Sequence, residues 1–257
     1  VHVMDDSAAD PLARYLATNT EATRRLAEGA ARAGVSRFVL VSTIKVSGEV
    51  SPVPGVAPAG GPTWPEDLPP TPEGPYAISK ARAEDELRAV CRSSGMEFVI
   101  VRPPLVYGPG VKGNFLNLMR LIGRGIPLPL ASLDNRRSLV AVSNLADFIA
   151  CCLVQHEAVN QVFQVADREP LSTPGLIRAI GAAQGRSPRL FPFPSLLLKA
   201  GAIALGRRAV WERLAGSLTI DTTKAQTLLN WQPPVAPADE LAATLAWYRG
   251  KAWRVGH

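Results

Sequence analysis

The sequence predicts an α/β protein built on a doubly wound parallel sheet, with a smaller, mixed and mostly helical lobe. Short apolar runs, RFVLVST (37–43) and MEFVIVRPP (96–104), read as strands buried on both faces. Helix-patterned segments alternate with them through the first half, as the crossovers of a parallel sheet require. The second half carries many short helical segments and prolines, which suits a separate smaller lobe. The chain has 257 residues, 47% of them apolar and 19% charged, enough to bury a sizeable core.

Taken in order, Asp10-Pro11 reads as an N-cap followed by proline at the first helical position. Leu12, Leu16, Leu26, Ala30 and Ala33 continue that helix, and Gly34 can end it in the left-handed conformation. The first strand, 37–43, follows. Between Ser47 and Pro75 lie nine of the 23 prolines, so this stretch is expected to be a long loop without regular structure. Tyr76 to Ser94 reads as a helix closed by Gly95, and residues 96–104 as a strand stopped by prolines. SLVAV (138–142) and VFQVA (162–166) read as strands around a helix near 145–153.

Composition excludes several function classes. The formal charge is +6 and the pI about 9.5. The excess is dispersed, which by itself fits an anionic small molecule as well as nucleic acid; no interleaved aromatic–basic stretch argues for the latter, and no nucleic-acid partner is expected. Cys91, Cys151 and Cys152 lack metal or redox spacing and read as reduced, packed residues. His2, His156 and His257 are scattered and read as structural or surface residues, so no metal site is expected. No signal peptide and no membrane-spanning run is present, and a cytoplasmic location is the expectation. The most apolar stretch, SLLLKAGAIAL (195–205), is too short to span a bilayer and carries Lys199; it is read as a helix packed on the protein, with a helix lying on a membrane surface as the less favoured alternative.

Chemistry gathers at Thr43, Tyr76 and Lys80. Tyr76 and Lys80 form Y-x-x-x-K, which places them one turn apart on the same helix face. A free phenol ionises only near pH ~10. A lysine ammonium and the helix N-terminus both favour the phenolate, which would tune Tyr76 to move a proton at a hydroxyl. Thr43 lies at the carboxyl end of its strand, where open α/β sheets place ligands. The alternative reading is an ordinary surface pair on a helix.

These residues sit in a longer pattern: NTEATRRLAEGAARAGVSRFVLVST, IKVSGE (44–49), PYAISKARAE (75–84), RPPLVYGPG (102–110), RRSLVAVSNLAD (136–147) and DTTKAQTLLNWQPP (221–234). In order and spacing the chain resembles the extended short-chain dehydrogenase/reductases, in the NAD-dependent sugar-nucleotide epimerase/dehydratase family. The resemblance implies a Rossmann-like sheet and NAD or NADP as cofactor, with NAD favoured. It implies catalytic roles for Thr43, Tyr76 and Lys80, and dinucleotide contacts from Asn19, Ser42, Tyr76, Lys80 and Pro103. It implies substrate contacts from Thr43, Lys45, Tyr107, Asn114, Arg137 and Arg213, with the two arginines toward a nucleotide diphosphate. An arginine fork suits that group, although either could be a surface charge.

The family's G-x-x-G-x-x-G turn is not found in this sequence, so the resemblance implies an incomplete sheet, N-terminally truncated by roughly 60–80 residues. A chain without that turn is expected to hold NAD weakly. Gly108-Pro109-Gly110-Val111-Lys112-Gly113 reads literally as G-x-G-x-x-G, but Pro109 has no N–H to offer a phosphate, and the segment is rejected as a dinucleotide loop. The expected division is 1–107 as the dinucleotide-binding part and 108–257 as the substrate lobe, with about 138–166 returning to the sheet. The expected activity is 4-epimerisation of a UDP-hexose through a 4-keto sugar, with a homodimer as a candidate assembly. Alternatives are a 4-ketoreductase of a 6-deoxyhexosamine in surface polysaccharide synthesis, and a non-catalytic nucleotide-sugar-binding protein. A dehydratase is disfavoured, because Ile44 and Lys45 stand where an Asp-Glu pair would follow Thr43.

Overall fold

The computed structural model describes residues 10–48, 63–64 and 69–255. His2, His257 and most of the proline-rich stretch lie outside the described residues.

The first helical run begins as expected, with the Asp10 side chain accepting from Ala13 N at 3.0 Å and Pro11 in the first turn. Helix α1 (Pro11–Tyr15) passes through a wider π-type turn, Leu16–Glu21, into α2 (Ala22–Arg32). Such a turn re-aims the residues around it and is enriched at functional sites; here it turns Asn19 inward. Gly34, at φ +73°, ends the run in the left-handed region that penalises a side chain. Next come β1 (Arg37–Val41), a two-residue β2 (Thr63–Trp64) and α3 (Gly74–Ser94), closed by left-handed Gly95. β2 pairs with a late strand, β7 (Thr219–Ile220), so the stretch expected to lack regular structure does contain some.

β3 (Glu97–Arg102) is central, parallel to β1 on one side and to β6 (Gln161–Gln164) on the other. Its alternation builds the layers. Phe98 and Ile100 face Ala27, Leu87 and Cys91 of α2 and α3. Val99 and Val101 face Phe148 and Cys152 of α5 (Val142–Val154), and Leu229 and Trp231 at the end of α9 (Thr223–Leu229). A parallel sheet covered on both faces is the arrangement that continuous apolar strands predict. β1 departs from that expectation. Of its residues only Leu40 is buried and Val41 is exposed, because among the described residues no strand pairs with its outer edge.

β4 (Leu105–Tyr107) and β5 (Leu139–Ala141) form their own parallel pair. With α4 (Gly113–Gly123), α6 (Thr173–Ala183) and α10 (Pro237–Val255) they enclose a second core around Phe115, Met119, Ile177 and Leu241. The last pair, α7 (Ser195–Ala204) and α8 (Arg208–Ala215), corrects the sequence expectation: α7 has no buried residue and does not pack its apolar side into the protein. No helix among the described residues is long and apolar enough to cross a membrane. Cys91 and Cys152 are buried among apolar neighbours, and burial pushes the Cys152 thiol up to about 12.

Candidate active site

The carboxyl end of β1 meets the first turns of α3, and the residues of interest converge there. Thr43 caps a short 3-10 turn, Ile44–Val46, with its hydroxyl accepting from Lys45 N at 3.4 Å. Pro103, just past β3, accepts from Ile44 N at 3.0 Å and holds that turn against the sheet. Lys80 reaches back from α3 and donates from Nζ to the Val41 carbonyl at 2.7 Å. Tyr76, one turn earlier, is half-buried with its ring edge-on to Tyr15, centroids 5.7 Å apart. Thus Thr43, Tyr76, Lys80 and Pro103 are gathered by one strand end and one helix.

Asn19 joins them through the wide turn. Its Nδ2 donates to Ser79 Oγ at 2.9 Å, and Ser79 Oγ donates to the Tyr76 carbonyl at 2.8 Å. The first helical run is therefore tied to the turn of α3 that carries Tyr76. Ser42 points the other way, donating to Glu84 Oε1 at 2.6 Å. Glu84 also takes Arg102 bidentately, at 3.0 Å and 2.6 Å, and Arg88 at 3.2 Å. Glu84 is 1% exposed and Arg102 4%. A pair so deeply buried survives only with such complete hydrogen bonding.

Electrostatics correct one expectation. The Y-x-x-x-K spacing predicts a favoured phenolate, yet burial pushes Tyr76 up to about 12, with Tyr15 adding to the effect. Lys80 is shifted down by burial, opposed by the nearby Glu84 carboxylate. The spacing sets the face but not the distance: the Lys80 ammonium is engaged by the Val41 carbonyl.

The other anticipated residues lie elsewhere. Tyr107 is buried, donates to Asp167 Oδ2 at 2.8 Å and stacks on Phe115. Asp167 is held in turn by Ala141 N and Asn144 Nδ2. Asn114 is exposed in the first turn of α4, and Lys45 is half-exposed in the 3-10 turn. Arg137 donates from Nη1 to the Gly216 carbonyl at 2.9 Å, at the end of α8, which carries exposed Arg213. Arg137 is thereby tied to the end of α8. The GPGVKG segment does connect β4 to α4, but a Cβ at Gly108 would come within 2.4 Å of Glu240 Oε1. A buried carboxylate against that turn, together with Pro109, argues against a phosphate loop.

Glu84 and Arg102 were missed as a pair. The signal was available: Glu84 continues the i+4 series from Tyr76 and Lys80, and Arg102 shares the Phe98–Ile100 face of β3.

Residues 3–166 match the sequence model of the NAD dependent epimerase/dehydratase family. A UDP-glucose 4-epimerase of Vibrio cholerae is 42% identical over 234 residues, spanning 91% of this chain and 69% of that protein. Among solved structures, UDP-glucuronic acid 4-epimerase from Bacillus cereus in complex with NAD superimposes with a TM-score of 0.73 at 20% identity, covering 95% of this chain and 71% of that one. UDP-glucose 4-epimerase from Thermotoga maritima with UDP-glucose gives 0.72 at 22% identity, covering 98% and 77%. At these identities the solved structures establish a shared fold.

Proposed function

The chain belongs to the NAD-dependent epimerase/dehydratase family, and we propose that its protein inverts C4 of a UDP-hexose through a 4-keto sugar. The observation that carries this reading is the convergence of Thr43, Tyr76 and Lys80 at the carboxyl end of β1. The similarity to the Vibrio cholerae UDP-glucose 4-epimerase points to the same substrate class.

The residues present fit the nicotinamide-ribose end of the dinucleotide. A threonine hydroxyl, a phenol and an ammonium at one strand end form a donor set suited to ribose hydroxyls, with Asn19, Ser42 and Pro103 fixing the turns that present them. When bound, NAD supplies the hydride acceptor and donor at C4. Thr43 and Tyr76 bracket the C4 oxygen; the hydroxyl proton passes to Tyr76 and returns from it once the keto sugar has presented its other face. For Tyr76 to accept that proton, its pKa must fall from about 12. Lys80, one turn along, is the cation available to lower it by leaving the Val41 carbonyl. Arg137 and Arg213 serve the diphosphate, and Lys45, Tyr107 and Asn114 the remainder of the substrate region. In this reading 1–107 carries the dinucleotide side and 108–257 the sugar-nucleotide side, with 138–166 contributing to both.

The test is conversion of UDP-galactose to UDP-glucose by the purified protein with NAD, followed by chromatography. Formation of the 4-epimer, abolished in Tyr76→Phe, supports the reading. One-way reduction of a 4-keto sugar without epimer formation overturns it.

A further inference from the structure

The α7–α8 hairpin exposes hydrocarbon on a scale found nowhere else among the described residues. Leu196 is 78% exposed, Leu197 60%, Ile203 50% and Leu205 75%. Nearly half of the exposed large hydrophobic side chains among the described residues fall within 191–210. An isolated exposed leucine needs no explanation, but four such side chains within ten residues, 196–205, make a surface suited to docking.

Charge identifies the occupant. Between 186 and 213 the chain carries Arg186, Arg189, Lys199, Arg207, Arg208 and Arg213, all exposed, against one acid, Glu212. Glu212 is paired with Arg208 at 2.7 Å. Lys199, Arg208 and Trp211 line a groove of about 550 Å³ between the two helices. A second copy meeting this face through a two-fold axis would bring like charges together. An anionic bilayer surface complements both features, because interfacial helices bury leucine at the acyl boundary and set lysine and arginine among phosphates.

We propose that the α7–α8 hairpin docks the protein on an anionic lipid surface. Leu196, Leu197, Ile203 and Leu205 enter the acyl boundary, and Lys199, Arg207 and Arg208 contact headgroup phosphates. The docking uses none of the residues around Tyr76.

Flotation of the protein with vesicles of phosphatidylglycerol and phosphatidylcholine tests the proposal. The parent is expected to float with these vesicles, to be released by salt, and to remain behind with pure phosphatidylcholine. Lys199→Ala and Arg207→Ala each weaken binding about fivefold. Leu197→Glu combined with Ile203→Glu removes it, while circular dichroism stays unchanged. Brominated acyl chains quench emission that is lost in Trp211→Phe. Failure to float with the anionic vesicles overturns the proposal, as does flotation unaltered in the double glutamate variant. A parent dimer that the same variant converts to monomer, without vesicle binding by the parent, assigns the face to a second copy instead.

Discussion

Around α3 the protein buries charge, and along α7 it exposes hydrocarbon. Glu84 and Arg102 are nearly inaccessible, yet each polar atom described there has a partner, and the network holds Ser42 and β1 against the helix that carries Tyr76. α7 has no buried residue, and Leu196, Leu197 and Ile203 are each at least half exposed. Both regions invert the ordinary placement of residue types, and both invert it at a cost to stability that a structural scaffold alone would not require. Where local rules fail in a folded protein, function is the usual reason. The contrast separates the proposed internal site, which depends on geometry, from the proposed external one, which depends on contact.

The largest effect is expected at Tyr76. Tyr76→Phe keeps the ring that meets Tyr15 and deletes the proposed proton-transfer group, so kcat should fall roughly 10²–10⁴-fold with substrate affinity largely retained. Activity within a few-fold of the parent would remove Tyr76 from the mechanism. The same residue links pH to stability. Its folded pKa, about 12, lies above the ordinary phenol value of 10.0. Its contribution is therefore fully present below about pH 10 and is lost as pH rises through 12. Alkaline denaturation should start at higher pH in Tyr76→Phe than in the parent.

Next comes the buried pair. Glu84→Gln keeps the shape but leaves Arg102 as an uncompensated interior charge, at a cost of about 3–5 kcal/mol in chemical denaturation. Replacing both, Glu84→Leu with Arg102→Met, should restore much of the loss while freeing Ser42. A single variant as stable as the parent would mean that water reaches the pair.

Arg137 offers a smaller effect and a sharper division of roles. If Arg137 meets the diphosphate as proposed, Arg137→Ala should weaken free UDP by about 1.5–3 kcal/mol, as much as it weakens UDP-sugar. Arg137→Lys should recover only part, lacking the paired geometry. Competition by UDP measures both. Unchanged UDP affinity in the alanine variant would leave Arg137 a structural residue that fastens Gly216, at 2.9 Å.

What was legible in the sequence followed from local signals. The Asp10 cap, the Gly34 and Gly95 stops, and the central strand 97–102 depend on neighbours a few residues away, and each stands where expected. The exposure of Val41 was not legible, because a strand's burial depends on what pairs with its edge. The π-type turn at Asn19 was hidden by an unbroken helical pattern. The approach of Lys80 to Val41 rather than to the phenol is a matter of rotamer and depth, which i+4 spacing does not specify. The exposure of α7 was invisible for a related reason: an apolar run reports that a surface will be covered, not that the chain itself covers it.

The smallest effect sharpens the comparison most. Leu87 on α3 and Leu197 on α7 are the same residue type in helices, and truncation removes the same atoms from each. Leu87 is fully buried between α2, α3 and the sheet, so Leu87→Ala loses transfer energy and leaves a cavity, at about 2–5 kcal/mol. Leu197 is 60% exposed in a helix with no buried residue, so Leu197→Ala should lie within about 0.5 kcal/mol of the parent in urea denaturation. Helix propensity pushes the same way, since alanine is the better helix former. The measurement is informative because of what a large value would mean. A loss near that of Leu87 would require Leu197 to be covered in the folded protein. If that loss grew with protein concentration, the cover would be another copy of the chain; if it did not, α7 would pack against the protein's own residues. Neutrality in solution, combined with loss of vesicle binding in the glutamate variants, is the pair of results expected of an interfacial helix.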